Sequence, residues 1–273
     1  MIGQHLLLSK IDKLAAYQSL PRFIILCGPK HSGKHLIAKH IAKKLNATLV
    51  DSGIKVDEIR ETISLAYKQS QPTVYLLADA DKMSPAAKNA ILKVTEEPPR
   101  KAYFIMTLVD LNNTLATLRS RGTVLTMDIY TPDQILEYAT TKGYNFTEDE
   151  RQTVMGLCTT PGEVDKLASY NVAEFYQFVE TVADNIGKVN GANAFKIGSR
   201  LSYKEEDEGY DATLFLRALA SVYLNGVQSS PLRTVLSIQA ISKYLAEMNI
   251  TGINKSATMD MLILELRGIW MPQ

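Results

Sequence analysis

The chain has 273 residues, 46% apolar and 22% charged, a balance that supports a buried core and excludes disordered, collagen-like and disulfide-scaffold proteins. Thirty Lys and Arg against twenty-nine Asp and Glu leave a formal charge of +1, so no global basic field points to nucleic acid. Phosphate binding has to come from a local patch or from backbone groups. The two cysteines, Cys27 and Cys158, lack metal-ligand spacing and cannot build a four-thiolate zinc site. That usage fits a reducing cytosol, and the opening MIGQHLLLSKIDK reads as no signal peptide. No apolar run approaches the ~20 residues of a membrane span, so a cytoplasmic protein without membrane contact is expected. At ~100–200 residues per domain the length suggests two or three domains.

Residues 1–128 read as alternating helix and strand. A helix over Leu6–Ser19 stops at Pro21, and the apolar run Phe23–Cys27 has the continuity of a strand buried on both faces. A glycine-bearing loop follows, then a helix over Lys34–Leu45, a strand at Thr48–Val50, and a helix over Val56–Gln69 with Ile59, Ile63 and Ala66 on one face. Val74–Leu77 is another buried strand. Ser84-Pro85, a cap residue with proline in the first turn, opens a helix that runs to Glu96 and is stopped by Pro98-Pro99. Tyr103–Leu108 and Thr123–Met127 complete five strands, which alternate with helices as a parallel sheet covered on both faces requires.

From Tyr130 the strand signal disappears. Thr131-Pro132-Asp133 opens a helix, and short helices follow through Tyr170. Longer amphipathic helices are expected over Phe175–Ile186, Leu214–Leu224, Leu232–Met248 and Thr258–Trp270, with Phe175, Tyr176, Phe178 and Trp270 as packing residues. The Lys204–Gly209 stretch (KEEDEG) reads as an exposed connector.

The sharpest motif is Gly28-Pro29-Lys30-His31-Ser32-Gly33-Lys34-His35, between a buried strand and a helix. It matches the phosphate-loop pattern G-x-x-x-x-G-K at every position except the last, where Ser or Thr is expected. Gly28 and Gly33 let the backbone curl so that successive N–H groups face one anion, backed by the helix dipole, while Lys34 reaches the β and γ phosphates. His35 stands where a hydroxyl normally holds Mg²⁺, and imidazole is a poor ligand for that oxygen-seeking cation. Spacing of His31, His35 and His40 without a carboxylate partner defines no metal site.

Beyond the loop, the strand-end run Val74-Tyr75-Leu76-Leu77-Ala78-Asp79-Ala80-Asp81 stands where P-loop NTPases keep their metal-organising acid. The stretch Asn89–Pro99 (NAILKVTEEPP) resembles a characteristic run of bacterial clamp-loader ATPase subunits, and Thr117–Gly122 (TLRSRG) resembles their Ser-Arg-Cys box. Ile2-Gly3-Gln4-His5, Ile54–Arg60 (IKVDEIR) and Leu262–Arg267 (LILELR) resemble further segments of that family. By these motifs the chain resembles an AAA+ clamp-loader subunit, nearer the delta-prime type of bacterial DNA polymerase III than its gamma/tau motor, and without the zinc module.

The resemblance implies a P-loop NTPase (AAA+) domain of α/β class over residues 1–128, a small helical lid over 129–171 and an all-helical collar for oligomerisation over 172–273. It implies ATP or ADP in the Gly28–His35 loop, Mg²⁺ ill served there, no zinc, and as partners other clamp-loader subunits, the sliding clamp and primer–template DNA. Aligned on Asn89, the metal-acid position is Ala78 and the base position Asp79, a degenerate acid motif; a one-residue slip would make Asp79 the metal acid and still leave the base missing. The lid motif Gly-x-x-Arg corresponds to Gly162–Asp165, where the arginine is absent although Lys166 is adjacent, and the sensor position after the fourth strand falls at Thr107 or Leu108. Arg121 stands at the arginine that this family presents in trans to a neighbour's γ-phosphate; an ordinary salt-bridged arginine is the alternative. Lys88, Lys93, Arg100 and Lys101 are candidate contacts to a DNA backbone, or merely solvated lysines and arginine. The functional expectation is a subunit weak or inactive in hydrolysis. Its rival is a gamma/tau-like ATPase in which Asp79 or Asp81 replaces the missing acids, while a small-molecule kinase fits the helical C-terminal part poorly.

Overall fold

The computed structural model describes residues 2–188, 191–203, 207–248 and 252–271. Its first part carries strands β1 (Phe23–Cys27), β2 (Thr48–Ser52), β3 (Thr73–Leu77), β4 (Ala102–Leu108) and β5 (Thr123–Thr126) and helices α1 (His5–Ala16), α2 (Lys34–Lys44), α3 (Val56–Lys68), α4 (Pro85–Glu96) and α5 (Ala116–Arg121). All the strand pairs of this sheet are parallel, in the order β2-β3-β4-β1-β5. Each crossover therefore needs a helix, which is why strand and helix alternate along the chain.

Alternate residues of each strand feed opposite cores. Phe23 and Ile25 of β1 join Tyr75, Leu77, Phe104 and Met106 beneath α3, α4 and α5. Ile24 and Leu26 join Val74, Leu76 and Ile105 beneath α1 and α2, through Leu7, Ile11, Ile37 and Ile41. Tyr75 and Phe104 stack at 5.4 Å in the first of these cores. Ser84 caps α4 as its sequence position predicts, accepting from the Ala87 N–H at 3.2 Å with Pro85 following.

The remainder is mostly helical: α6 (Pro132–Lys142), α7 (Glu148–Leu157), α8 (Pro161–Ala168), α9 (Val172–Asn185), α10 (Gly191–Gly198), α11 (Ala212–Asn225), α12 (Pro231–Glu247) and α13 (Lys255–Trp270). The chain divides into two compact units. One holds the chain through Gln134 together with Thr160–Gly162; the other holds Ile135–Thr159 and everything from Glu163 onward. In the second unit Phe175 and Phe178 of α9 meet the Tyr210 ring at 5.1 and 5.5 Å, and Trp270 stacks on Tyr223 at 5.2 Å.

Two expectations need correction. Strand does not end at Tyr130: β6 (Leu201–Ser202) and β7 (Tyr210–Asp211) form a parallel pair, so the C-terminal part is not wholly helical. Each strand is two residues long, too short to show a period of two, and what brings them together is the return of the chain rather than an apolar pattern. The connector between them is described only at Asp207–Gly209; Lys204–Glu206 lie outside the described residues. Helices α5 and α10 lie outside the elements the sequence predicts, α5 because six residues leave little room for helical periodicity.

Phe104 is fully buried and central to one core. Phe104→Ala is expected to lower the unfolding free energy by about 3–5 kcal/mol in denaturant titration, whereas Leu65→Ala, on a half-exposed α3 side chain, should change it by less than about 1 kcal/mol.

Candidate functional site

The loop between β1 and α2 places Gly33 at φ +90° and His31 at φ +59°, so two of its residues take left-handed backbone. His31 adopts that conformation without being glycine, a strained arrangement that its surroundings must hold in place. Gly28 serves a different purpose: a Cβ there would fall 2.6 Å from the Met127 side chain beyond β5. The Lys34 ammonium is buried and donates to the carbonyls of Gly28 at 2.8 Å and Pro29 at 2.6 Å. An ammonium has three N–H donors, so this fixes its head over the loop with one donor to offer an anion. Burial lowers the Lys34 pKa, and the carboxylates of Asp79 and Asp81 oppose that shift. Glycine-permitted curl, the N-terminus of α2 and this lysine together fit a phosphate group.

Two residues not singled out for this role, Tyr130 and Gly162, hold the loop's crest. The Tyr130 hydroxyl donates to the Ser32 carbonyl at 2.8 Å. Its ring lies against Gly3, where a Cβ would clash at 2.7 Å. The Gly162 N–H donates to the His31 carbonyl at 3.2 Å, and a Cβ on Gly162 would meet the His31 side chain at 2.4 Å. Gln4, fully buried, exchanges two 2.9 Å bonds with the backbone of Asp128 and so pins the N-terminal segment beside β5.

The acids at the end of β3 are engaged in local structure. Asp79 has left-handed backbone at φ +52°; its N–H donates to the Thr107 hydroxyl at 2.9 Å and its carboxylate pairs with Lys82 at 2.8 Å. Burial would raise the Asp79 pKa, but Lys82, with Lys34 and Lys30, outweighs it and holds the carboxyl below its ordinary value. Asp81 accepts from the Val109 N–H at 2.8 Å, the Asp110 N–H at 3.3 Å and the Asn113 amide at 3.1 Å, which shapes the turn after β4. Thr107 is buried at the end of β4, and Leu108 beside it is a core residue. His35 reaches toward Asp51 with its Nδ1 3.9 Å from the carboxylate. The oxygen donors that would hold a magnesium ion are thus committed elsewhere, and the set does not fit one.

Arg121 ends α5. Its guanidinium donates to the Thr117 carbonyl at 2.6 Å and pairs with the carboxylate of Glu96 at the end of α4. Arg119, two residues away, lies 3.5 Å from the Asn112 amide oxygen. Among the candidate DNA contacts, Lys88 donates to the Asn113 carbonyl and Lys101 to the Ser70 carbonyl. The Arg100 carbonyl accepts from Arg22, and Lys93 and Arg100 have exposed side chains. The four are not gathered into one cluster by any contact between them.

In the second unit, Lys166, adjacent to the expected lid motif, is paired with Asp211 at 2.7 Å. Asp211 also caps α11 through the Thr213 and Leu214 N–H groups. Burial would raise its pKa, and Lys166 outweighs that and lowers it. Glu163 is held by Arg217 at 2.9 Å, and Asp165 accepts from the Tyr138 and Tyr144 hydroxyls. Cys27 and Cys158 are buried thiols; burial raises the first and pushes the second up to about 12, so neither is poised as a nucleophile. His40 pairs with Asp12 at 2.7 Å as a helix-to-helix contact between α1 and α2.

Residues 48–130, from β2 to just past β5, match the family described as DNA polymerase III, delta subunit. The gamma subunit of DNA polymerase III from Buchnera aphidicola subsp. Schizaphis graminum is 28% identical over 184 residues, 55% of this chain and 51% of that protein. The delta-prime subunit from Yersinia pestis is 36% identical over 100 residues, 35% of this chain and 29% of that protein. The chain thus spans about half, or less, of the curated relatives it matches. Among solved structures, a DNA polymerase III gamma subunit-related protein from Thermotoga maritima superposes with a TM-score of 0.56 at 16% identity, covering 94% of this chain and 98% of that one. A RuvB variant from the same organism gives 0.51 at 13% identity, over 90% and 83%. The fold is the one these solved structures share, a parallel five-stranded sheet with flanking helices and a largely helical C-terminal part, and over part of its length the chain is similar to the delta-prime and gamma subunits of bacterial DNA polymerase III.

Proposed function

We propose that this chain is a clamp-loader subunit of delta-prime type, which helps ATP-driven loading of a sliding clamp onto primed DNA while hydrolysing little or no ATP itself. The observation that carries the reading is the family match over residues 48–130, the stretch that holds α4, Glu96 and the Arg121 box. In this reading the Gly28–His35 loop binds ATP or ADP through backbone N–H groups and Lys34. Hydrolysis in cis fails because Ala78 offers no acid, Asp79 is bound to Lys82, Asp81 to the β4 turn, and Lys166 to Asp211. Arg121 leaves Glu96 and serves the γ-phosphate of a neighbouring subunit, and Lys88, Lys93, Arg100 and Lys101 are its candidate DNA contacts. The partners are the other loader subunits, the clamp and primer–template DNA, in the cytoplasm.

A gamma/tau-like ATPase is the second reading, favoured by the longer stretch of similarity to the Buchnera gamma subunit. It would require Asp79 or Asp81 to break its present bonds and act as the missing acid. Steady-state ATPase of the isolated chain separates the two. Negligible turnover is expected; a rate near the ~1–100 s⁻¹ of efficient phosphoryl-transfer enzymes would overturn the first reading. Lys34→Ala, with folding checked by circular dichroism, should abolish nucleotide binding in calorimetry; unchanged binding would place the nucleotide elsewhere.

Arg121→Ala should leave the chain folded and able to assemble, yet slow the ATPase and clamp loading of the complete loader. A guanidinium at the γ-phosphate neutralises charge that develops in the transition state, so its loss acts on turnover more than on binding. One ATP site among several loses its arginine, so total ATPase falls in part and loading falls further. Arg119→Ala is the control and should matter less. Wild-type loading by an Arg121→Ala assembly, confirmed by sizing, would make this arginine structural.

A further inference from the structure

Helices α1 and α2 cover one face of the sheet, and α3, α4 and α5 cover the other. The outer surface of α1 and α2 has a charge composition unlike that of the whole chain. Helix α2 carries four lysines and two histidines with no acid in eleven residues, and α1 adds Lys10 and Lys13 with one acid, Asp12. Lys34 is consumed by the phosphate loop. Asp12 is already shared between His40 at 2.7 Å and Lys44 at 3.1 Å. Lys10, Lys13, Lys39, Lys43 and Lys44 are all exposed, and the first four pair with no carboxylate among the described residues. A chain with a net charge of +1 has therefore gathered five exposed lysines against one aspartate on two adjacent helices.

We propose that the exposed face of α1 and α2 binds the phosphate backbone of duplex DNA. The ligand class follows from the donors. Neither helix contains an arginine, the fork-shaped side chain that suits bidentate capture of carboxylates on an acidic peptide. Lysine is a compact point charge, matched to phosphates met one at a time. Single-stranded nucleic acid would call for aromatic stacking platforms along the path, and Tyr17, just past α1, is the one aromatic of these segments. Lys39 and Lys43 stand one helical turn apart, near 6 Å, on a helix fixed against the sheet core by Ile37 and Ile41, so a regular array of charges meets a regular array of phosphates. Such contacts carry no base preference. This face lies across the sheet from α4, which bears Lys88 and Lys93, and the proposal stands whether or not the chain works in a clamp loader.

Fluorescence anisotropy of the full chain with a labelled duplex of about 20 base pairs tests it at 50 and 200 mM salt. Each phosphate contact contributes about 0.9 to the slope of log K against log salt, so Lys39→Ala/Lys43→Ala should flatten the slope by about 1.8 and weaken binding by about tenfold or more at 0.1 M salt. Lys10→Ala/Lys13→Ala should act likewise, with the loss equal for unrelated sequences and the thermal midpoint unchanged. The comparison variant Lys88→Ala/Lys93→Ala should retain the residual slope attributable to the α1/α2 face. Wild-type slope and affinity in Lys39→Ala/Lys43→Ala would overturn the proposal, as would absence of duplex binding at 50 mM salt. Binding of a polyglutamate peptide in preference to the duplex would assign the face to an acidic protein segment instead, and would also overturn it.

Discussion

Burial of both faces of the β2-β3-β4-β1-β5 sheet is the constraint from which the site follows. The buried central strands, β1 above all, offer almost no polar side chain along their length, so chemistry has to gather beyond their carboxyl ends. The end of β1 supplies the phosphate loop, and the end of β3 supplies Asp79 and Asp81. The turn after β4 supplies the N–H groups that Asp81 binds, and the chain beyond β5 supplies Met127, Asp128 and Tyr130. Strand β1 lies between β4 and β5, so its loop sits where the crossovers run off in opposite directions, the usual place for a ligand on an open parallel sheet.

Within that frame the phosphate loop and the acid pair have gone different ways. The loop keeps the geometry that an anion would need: a left-handed Gly33, a Gly28 whose added Cβ would meet the Met127 side chain, and a lysine oriented by two carbonyls. The acid positions are occupied by side chains that perform structural tasks. A carboxylate accepting three hydrogen bonds from one turn, as Asp81 does, cannot give them up for a metal without unshaping that turn. Binding geometry and hydrolytic geometry are separable because the first rests on backbone conformation and the second on side chains that can be engaged elsewhere, as Asp79 and Asp81 are.

The sequence made the framework legible where composition and position coincide. Phe23–Cys27 and Val74–Leu77 are continuous apolar runs buried along their whole length, and Ser84-Pro85 marks the start of α4 to the residue. The phosphate loop was readable because its conformational demands fall on glycines at fixed spacing. Tyr130 and Gly162 were not, since their partners, Ser32 and His31, are about a hundred residues or more away and nothing local in TPGE or DIYT announces them. The acids could be read as degenerate, but their partners could not: two of Asp81's three donors are backbone N–H groups, which carry no residue signature. The β6–β7 pair is equally silent in the sequence, since two residues carry no pattern. The sequence allows Arg121 two roles, and its pairing with Glu96 is one that side-chain geometry alone reveals.

That pairing does not decide against a role in trans, because the magnitudes are unequal. An ion pair that is about half exposed on the Glu96 side is worth about 0.2–1 kcal/mol, after side-chain entropy and solvent screening. An arginine finger worth ~10³–10⁵ in rate corresponds to about 4–7 kcal/mol of transition-state stabilisation. Releasing Arg121 from Glu96 would therefore take only a small fraction of what the guanidinium gains at a developing phosphate charge. The Thr117 carbonyl adds a second hold, but it belongs to the same helix and constrains the side chain's path rather than its reach. An arginine parked on a solvent-facing carboxylate keeps its long side chain ordered and away from the wrong anions. Against a buried carboxylate the balance would reverse, since breaking such a pair leaves an uncompensated charge and costs about 3–5 kcal/mol. It is on the exposure of Glu96, more than on the existence of the bond, that any change of partner by the guanidinium would depend.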